Sequence, residues 1–168
     1  MPIDLQDAII RRLNEIFQNY AGIEGEINIY SQHVPKNIAV ADSGDASTLS
    51  YPYVLVKLNE GESQLGDKGA VYADTSVVLI IGTKDGAADG QGYRDGGNIA
   101  NRIIQEFSER PLFAKRYTCK QKIGWAALSY ETNELLRGST SHPYHFIGLT
   151  TDWEVPSIKA RQDIADLV

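Results

Sequence analysis

The apolar run Val77-Val78-Leu79-Ile80-Ile81 limits how the rest of this chain can fold. It closes a longer strand-like segment, residues 72–81, and its β-branched side chains suit a central strand that is covered on both faces. A second strand-like segment, Tyr53–Leu58, precedes it. The polar, glycine-rich residues 59–69 between the two segments predict a mobile hairpin connection. The sequence therefore predicts a sheet that is built on these two strands.

Two segments outside this pair have the apolar spacing of amphipathic helices. The first covers residues 4–20 and has Asp4 in the N-cap position. Its apolar stripe consists of Leu5, Ile9, Leu13, Ile16, Phe17 and Tyr20. The second runs from about Asp95 to Ser108, and its stripe consists of Ile99, Ile103, Ile104 and Phe107. Each helix therefore has one face to bury against the sheet.

The remaining segments complete a single α+β domain. Further strands are predicted at residues 26–30, 116–123, 125–130 and 144–155. Loops are predicted at residues 33–50, 82–97 and 133–142. This order predicts a domain over residues 1–155 in which a mostly antiparallel mixed sheet carries the two helices on one face. Residues 156–168 are predicted to form a C-terminal arm or a short helix.

Composition limits the class of function. The chain has 168 residues, of which 42% are hydrophobic and 23% charged, an ordinary balance for one globular domain. A single cysteine excludes an intramolecular disulfide. The N-terminus lacks the features of a signal peptide and no apolar run approaches a membrane span, so we expect an intracellular protein without membrane contact. The formal net charge of -6 argues against nucleic acid as the main partner and favours a protein.

The sequence offers few groups for catalysis or metal binding. His142 and His145 are separated by Pro143, and no nearby carboxylate or thiolate completes a ligand set, so we expect a turn followed by a strand position. The loop 85–92 lacks the lysine and hydroxyl of a phosphate-binding loop and the ligand spacing of a calcium loop. Cys119 lies mid-strand, and no nucleophile elbow is present. We expect no cofactor, no metal and no enzymatic activity.

A basic stretch at residues 116–122 interrupts this acidic chain. Period-two alternation places its basic side chains on one face of a strand and Cys119 on the other. Three interpretations are open: a solvated face, an edge strand that lysines protect, or a patch that meets an acidic partner. The two tryptophans lie in strand-like segments and are expected to be core or interface anchors. The candidate interface residues are Arg116, Lys120, Lys122, Trp125 and Trp153.

The second strand begins with Tyr51-Pro52-Tyr53-Val54. With this start, the order of segments resembles that of the tail-terminator and tail-completion proteins of long-tailed bacteriophages. In that family an N-terminal helix precedes a Pro-Tyr-Val strand start and a long apolar strand, and a later helix leads to closing strands. The matching segments span most of residues 4–155. The loop 33–50 and the segment after Val155 depart from the family's compact pattern.

The resemblance implies a structural subunit of a phage or prophage tail. Such a subunit closes a ring, hexameric in this family, at the junction of tail and neck. Its implied partners are further copies of the chain, the tail tube and the neck or connector proteins. Its implied location is the virion tail and, during assembly, the host cytoplasm.

A ring of this kind needs two different patches on each subunit. We therefore expect the basic strand 116–122 of one subunit to face Glu24, Glu26 or Asp42 of the next.

The loops 59–70 and 82–94 are expected to be mobile in the isolated subunit. A different class of function stays open, a small-molecule-binding or regulatory α+β domain, which would need a concave apolar pocket.

Overall fold

The computed structural model contains two helices and one six-stranded sheet in the part of the chain that it describes. The described residues are 3–18, 26–32, 51–65, 70–85, 90–128 and 144–159. The helices are α1 (Ile3–Phe17) and α2 (Gln91–Glu109). The strands are β1 (Asn28–Ser31), β2 (Tyr53–Leu65), β3 (Ala70–Lys84), β4 (Leu112–Phe113), β5 (Tyr117–Leu128) and β6 (Tyr144–Lys159).

The strands form one sheet in the order β1-β2-β3-β6-β5-β4. β1 runs parallel to β2, and every other neighbouring pair is antiparallel. The apolar run Val77–Ile81 lies in β3, which pairs with β2 on one side and β6 on the other. The predicted α+β class with a mostly antiparallel mixed sheet is confirmed.

Both helices bury their apolar stripes on the same face of the sheet, which we call the helix face. α1 contributes Leu5, Ile9 and Leu13 to this core, and α2 contributes Ile99, Ile103 and Phe107. The sheet residues they meet include Val54, Val56, Val77, Leu79, Ile81 and Leu149. These side chains alternate along their strands with side chains on the opposite face, as the pleat requires.

Three aromatic rings anchor the end of α2 against the sheet. Phe107 and Phe113 meet edge to face with centroids 5.0 Å apart. Trp153 meets both rings in the same way, at 5.6 Å from Phe107 and 4.8 Å from Phe113. Edge-to-face geometry places the positive edge of one ring on the negative face of another, which adds to the gain from burial. This aromatic corner fixes how α2 and β4 sit on β6.

An ion pair joins the two helices beside this corner. Arg12 Nη1 of α1 donates to Glu106 Oε1 of α2 at 3.2 Å, and the Glu106 side chain is 8% exposed. Arg110 approaches the same oxygen at 3.7 Å. The Arg12 guanidinium also lies 4.7 Å from the centroid of the Phe113 ring. A buried carboxylate needs such partners, because an unpaired charge there would be costly.

The first turn of α2 lies directly against β3 and β6. Thr83 Oγ1 donates to the carbonyl of Gly92 at 2.7 Å. The ring of Tyr93 is 4.5 Å from that of His145 on β6. A Cβ atom at Gly92 would collide with the imidazole of His145, whereas one at Gly97 would meet nothing within 4 Å. Glycine at position 92 therefore permits the close approach of helix and sheet.

A smaller cluster lies on the opposite face of the sheet, and it is rich in tyrosine. Its buried members are Tyr53, Leu55, Ile80 and Phe146, with Tyr51 and Tyr144 among those packed against them. Burial, followed by the nearby Tyr144, raises the pKa of Tyr51 to about 12. Burial, followed by the nearby Tyr51, also raises the pKa of Tyr53. Both phenols therefore stay neutral at physiological pH.

Several predicted boundaries are wrong, and in each case strand pairing or helix packing overrides local composition. Residues 59–65 continue β2, because Glu60–Leu65 pair with Val71–Ser76. Most of the predicted loop 82–97 is either the end of β3 or the start of α2. The strands predicted at residues 116–123 and 125–130 are one strand over the described residues Tyr117–Leu128, since Gly124 pairs with Thr150.

The C-terminal boundary moves as well. β6 extends to Lys159, so residues 156–159 belong to the sheet and not to the predicted arm. The predicted loops 33–50 and 133–142, and the rest of the arm from residue 160, lie outside the described residues. Neither described helix combines the length and apolar character that crossing a membrane requires.

Candidate assembly surface

Strand β5 lies near one side of the sheet. β6 pairs with it on its inner side, from Thr118 to Leu128. On its outer side the two-residue strand β4 pairs only with Tyr117 and Thr118. The amide of Cys119 donates to the carbonyl of Pro111 at 2.9 Å, which extends this contact by one residue. Beyond Cys119, the described part of the chain places no strand against the outer edge of β5.

The first part of this edge contains a bulge that carries the lysines. Cys119 is paired with Trp153 and Ile123 with Thr151, so the three residues from Lys120 to Lys122 stand opposite the single residue Asp152. Lysines and bulges are two features that discourage another strand from adding to an edge. The interpretation of this stretch as a lysine-protected edge strand therefore agrees with where the structure places it.

The second part of the edge, Ile123–Leu128, has neither of these features. Its sequence Ile-Gly-Trp-Ala-Ala-Leu contains no charged residue, and its pairing with β6 is regular. Gly124, Ala126 and Ala127 are exposed, and Trp125 is 74% exposed. We call this segment the apolar edge. An exposed apolar edge strand is a template for pairing with another chain.

The structure brings four of the five predicted interface residues to this side of the sheet. Arg116 is exposed in the turn before β5, with its guanidinium 5.3 Å from the centroid of the Tyr117 ring. Lys120 Nζ forms an ion pair with Asp74 Oδ2 at 3.4 Å. Lys122 and Trp125 are exposed. These four residues lie on or beside β5, with Lys120 directed to the face opposite the helices and Trp125 to the helix face.

Trp153 does not belong to that group. It is fully buried on the helix face, where its indole Nε1 donates to Thr151 Oγ1 at 2.8 Å. Of the two roles expected for this residue, core anchor and interface anchor, the structure supports the first. The sequence could not separate Trp125 from Trp153, because both lie in apolar strands and only the coverage by α2 distinguishes them.

Sequence reasoning missed a band of carboxylates on the face opposite the helices. Glu62 is paired with Asp74, and Asp74 with Glu154, so three acidic residues lie side by side across three strands. Glu60 and Asp152 lie in the adjacent row, both opposite Ser76. All five acidic side chains are exposed. Like charges directly opposite each other destabilise a sheet, and the ion pair of Asp74 with Lys120 offsets part of this repulsion within the acidic band.

The expected acidic counterparts of the basic strand fall in different places. Glu26 is exposed just before β1. Glu24 and Asp42 lie outside the described residues. The acidic band, which comes from strands that are distant in sequence, could have been found only with the strand register in hand.

The candidate chemical groups occupy structural positions. Cys119 is buried, and burial, followed by the nearby Asp152, raises the pKa of its thiol to about 12. A thiol with so high a pKa is a poor nucleophile at neutral pH. His145 lies on β6 against the start of α2, on the face opposite Tyr144 and Phe146 as expected, and His142 lies outside the described residues. Among the described residues, no group of three or more His, Cys, Asp or Glu could hold a metal ion.

Comparisons with solved structures find chains of similar fold. No protein-family model matches the chain, and no curated protein matches it. The fold is similar to that of a chain from the virion of a native gene transfer agent (GTA) particle. The two share 12% sequence identity with a TM-score of 0.47, over 90% of this chain and 94% of that chain. A likeness at this level carries no argument about function.

Proposed function

We propose that this chain is a structural subunit that assembles into a closed ring at the end of a phage or prophage tail, at the tail–neck junction. The observation that carries the proposal is the apolar edge, Ile123–Leu128, with Trp125 74% exposed. In the described part of the chain no strand pairs with the outer side of this edge, and a large aromatic side chain is exposed there. Both are features of a protein–protein contact, where tryptophan is enriched among the residues that dominate binding.

The sheet has two different edges, as a ring of identical subunits requires. In the part of the chain that the structure describes, the sheet ends in β1 at one side and in β4 and β5 at the other, and the two ends differ in length and in sequence. Contact between two different patches is heterologous, and it generates a ring when the rotation closes. Lys122 of β5 and the carboxylates Glu60 and Glu62 of β2 are exposed and provide opposite charges on two different strands of the same subunit. Opposite charges of this kind set the orientation of docking.

The resemblance of the segment order to tail-terminator and tail-completion proteins supports the position at the tail end. A subunit in such a position needs surfaces for its neighbours and needs no catalytic group. The Cys119 thiol, which is buried and held protonated, agrees with a structural role. A small-molecule-binding domain is the competing proposal, but it would leave the apolar edge without a purpose.

The proposal is tested by measuring the mass of the purified full chain in solution as its concentration increases, alone and with phage tail tubes. A discrete oligomer larger than a dimer in either condition supports the proposal, including one that forms only on tubes, since the tube end can act as a template. A monomer that neither oligomerises nor binds tube ends would overturn it and favour the binding-domain alternative.

A further inference from the structure

Building on the proposed function, we infer that the apolar edge of one copy pairs with the outer edge of β1 in the next copy, so that a single sheet continues around the ring. β1 ends the described sheet at one side, and β5 with the short β4 ends it at the other. Within the described residues no further strand pairs with either edge, and a strand added there would satisfy backbone N–H and C=O groups. The occupant of the apolar edge is therefore a second copy of this chain.

The two edges lie at the same height along the strands. Strand pairing through β6 and β3 places Trp125 at the same position along the strands as Val56, and Leu128 at the same position as Tyr53. Those residues of β2 pair in turn with Asn28–Ser31 of β1. When the strands run along the ring axis, the next copy can dock with no shift along that axis. A closed ring requires this, because a shift would produce a helical filament.

The strand directions also match. β1 is parallel to β2, and β5 is reached from β2 through three successive antiparallel steps, so β1 and β5 run in opposite directions. A neighbour rotated about an axis along the strands keeps its strand directions. The new contact between β5 and β1 is then antiparallel, like most of the sheet. The helices of all copies stay on the same side of the continuous sheet.

The side chains that meet at this contact are compatible. Trp125 projects to the helix face, since its partner Leu149 belongs to the helix-face core. In the joined sheet it lies beside Ser31 and diagonally to Ile29 of the next copy, and diagonal neighbours are within reach of an aromatic ring. Ile29 packs at the border of the helix-face core. Neither Asn28–Ser31 nor the apolar edge contains a charged residue, so the contact buries no charge.

Charges complement each other just beyond this contact. β2 continues past β1, and this part of it carries the exposed residues Glu60 and Glu62. Glu60 pairs with Ser76, and Ser76 pairs with Asp152, which stands opposite the bulge that carries Lys120 and Lys122. Glu60 and the bulge therefore lie at the same position along the strands. In the joined sheet the two backbones are separated by the width of one missing strand, about 10 Å in total. Extended lysine and glutamate side chains can meet across that distance.

The pairing is tested by cross-linking in the full chain with Cys119→Ala as the background. Ser31→Cys and Ala127→Cys place two exposed thiols diagonally across the inferred contact. With a short bismaleimide and protein assembled on tail tubes, we expect a ladder of covalent oligomers. A matched control combines Ser31→Cys with Gln105→Cys, because Gln105 is exposed on α2 away from the edge. It should give no ladder.

A charge exchange provides the second test. Lys122→Glu should raise the protein concentration needed for assembly about two- to fivefold, the range expected for an exposed ion pair. Adding Glu60→Lys should restore the original value, whereas adding Glu109→Lys, an exposed change at the end of α2, should not. If Lys122 only stabilised its own subunit, Glu60→Lys would not restore the protein concentration needed for assembly.

The outcomes separate this inference from the proposed function. Rings that form without the ladder and without the charge recovery would overturn the β5–β1 pairing and leave the ring subunit standing. A ladder in open filaments would support the pairing and contradict the closed ring. Protein that neither assembles nor cross-links would overturn both.

Discussion

At the scale of the residue, the two tryptophans show how position gives the same side chain two roles. Trp153 is fully buried between Phe107 and Phe113, whereas Trp125 is 74% exposed on the outermost long strand. Burial of an aromatic side chain stabilises a fold through area and through ring geometry. We therefore expect Trp153 to support the subunit and Trp125 to support contact between subunits.

Substitution of each tryptophan by alanine separates these roles. Trp153→Ala should lower the free energy of unfolding by about 3–5 kcal/mol, because it leaves a cavity in the core. Trp125→Ala should change the same quantity by no more than about 0.5 kcal/mol. Urea unfolding followed by circular dichroism measures both. Equal losses for the two variants would show that Trp125 is part of the core.

The buried thiol of Cys119 predicts a dependence of stability on alkaline pH. Its pKa rises from 9.0 to about 12 on folding, so the unfolded chain releases this proton first. Stability from this group is complete below the unfolded pKa and is lost as the pH rises through the folded pKa. Between about pH 8 and pH 10 the wild-type protein should lose more stability than Cys119→Ala does. Equal slopes in urea titrations over that interval would contradict this.

At the scale of the element, α2 is fixed at both ends by contacts that its amphipathic pattern does not reveal. Its first turn lies against His145 with Gly92 at the contact, and its last turn is joined to α1 through Glu106. The pattern of Ile99, Ile103 and Phe107 was enough to predict the helix and its buried face. The residues that set its exact position are glycine and glutamate, which usually indicate a loop and a solvated face.

Two glycines of α2 provide a matched pair of substitutions. Gly92→Ala forces a Cβ atom into the imidazole of His145 and should destabilise the fold by about 1–3 kcal/mol. Gly97→Ala meets nothing within 4 Å and should stabilise it by about 0.5–1 kcal/mol through helix propensity. Thermal unfolding of both variants tests the packing. Stabilisation by Gly92→Ala would mean that helix and sheet are not in contact there.

The ion pair between the helices should show coupling. Arg12→Ala leaves the nearly buried Glu106 with the more distant Arg110, and we expect a loss of about 2–3 kcal/mol. Part of the loss comes from the contact of Arg12 with the Phe113 ring. A double-mutant cycle with Glu106→Ala isolates the pair. Strictly additive losses would show that the two side chains do not interact.

At the scale of the whole molecule, the sequence was sufficient to predict a sheet with helices on one face, but not to predict which strands lie at the edges of that sheet. The apolar run Val77–Ile81 and the two helical stripes were enough to predict the class and the helix face. The order of the strands depends on β6 inserting between β3 and β5, which is a long-range pairing that no local pattern encodes. The acidic band and the apolar edge both follow from that insertion. For this reason the sequence pointed to the exposed residues of β5 but could not show which strands lie beside them.

The open sheet also explains why assembly is expected to depend on one strand. A sheet edge is a hazard that proteins usually block, and β5 blocks only its first part, with Lys120, Lys122 and a bulge. Among the residues that the structure describes, no strand covers the apolar edge of the single subunit. In a closed ring every such edge would be paired, so completing the ring would remove the hazard that a free subunit carries.

Electron microscopy of the full chain on phage tail tubes tests the central claim most directly. The wild-type protein should form rings or caps at tube ends. Trp125→Arg should abolish them, because it places a charge in the contact, while its unfolding curve stays unchanged. Ile3→Arg, which alters another exposed apolar residue, 57% exposed on α1, should assemble like the wild type. Tube ends without rings or caps for the wild type, or normal rings formed by Trp125→Arg, would contradict the account.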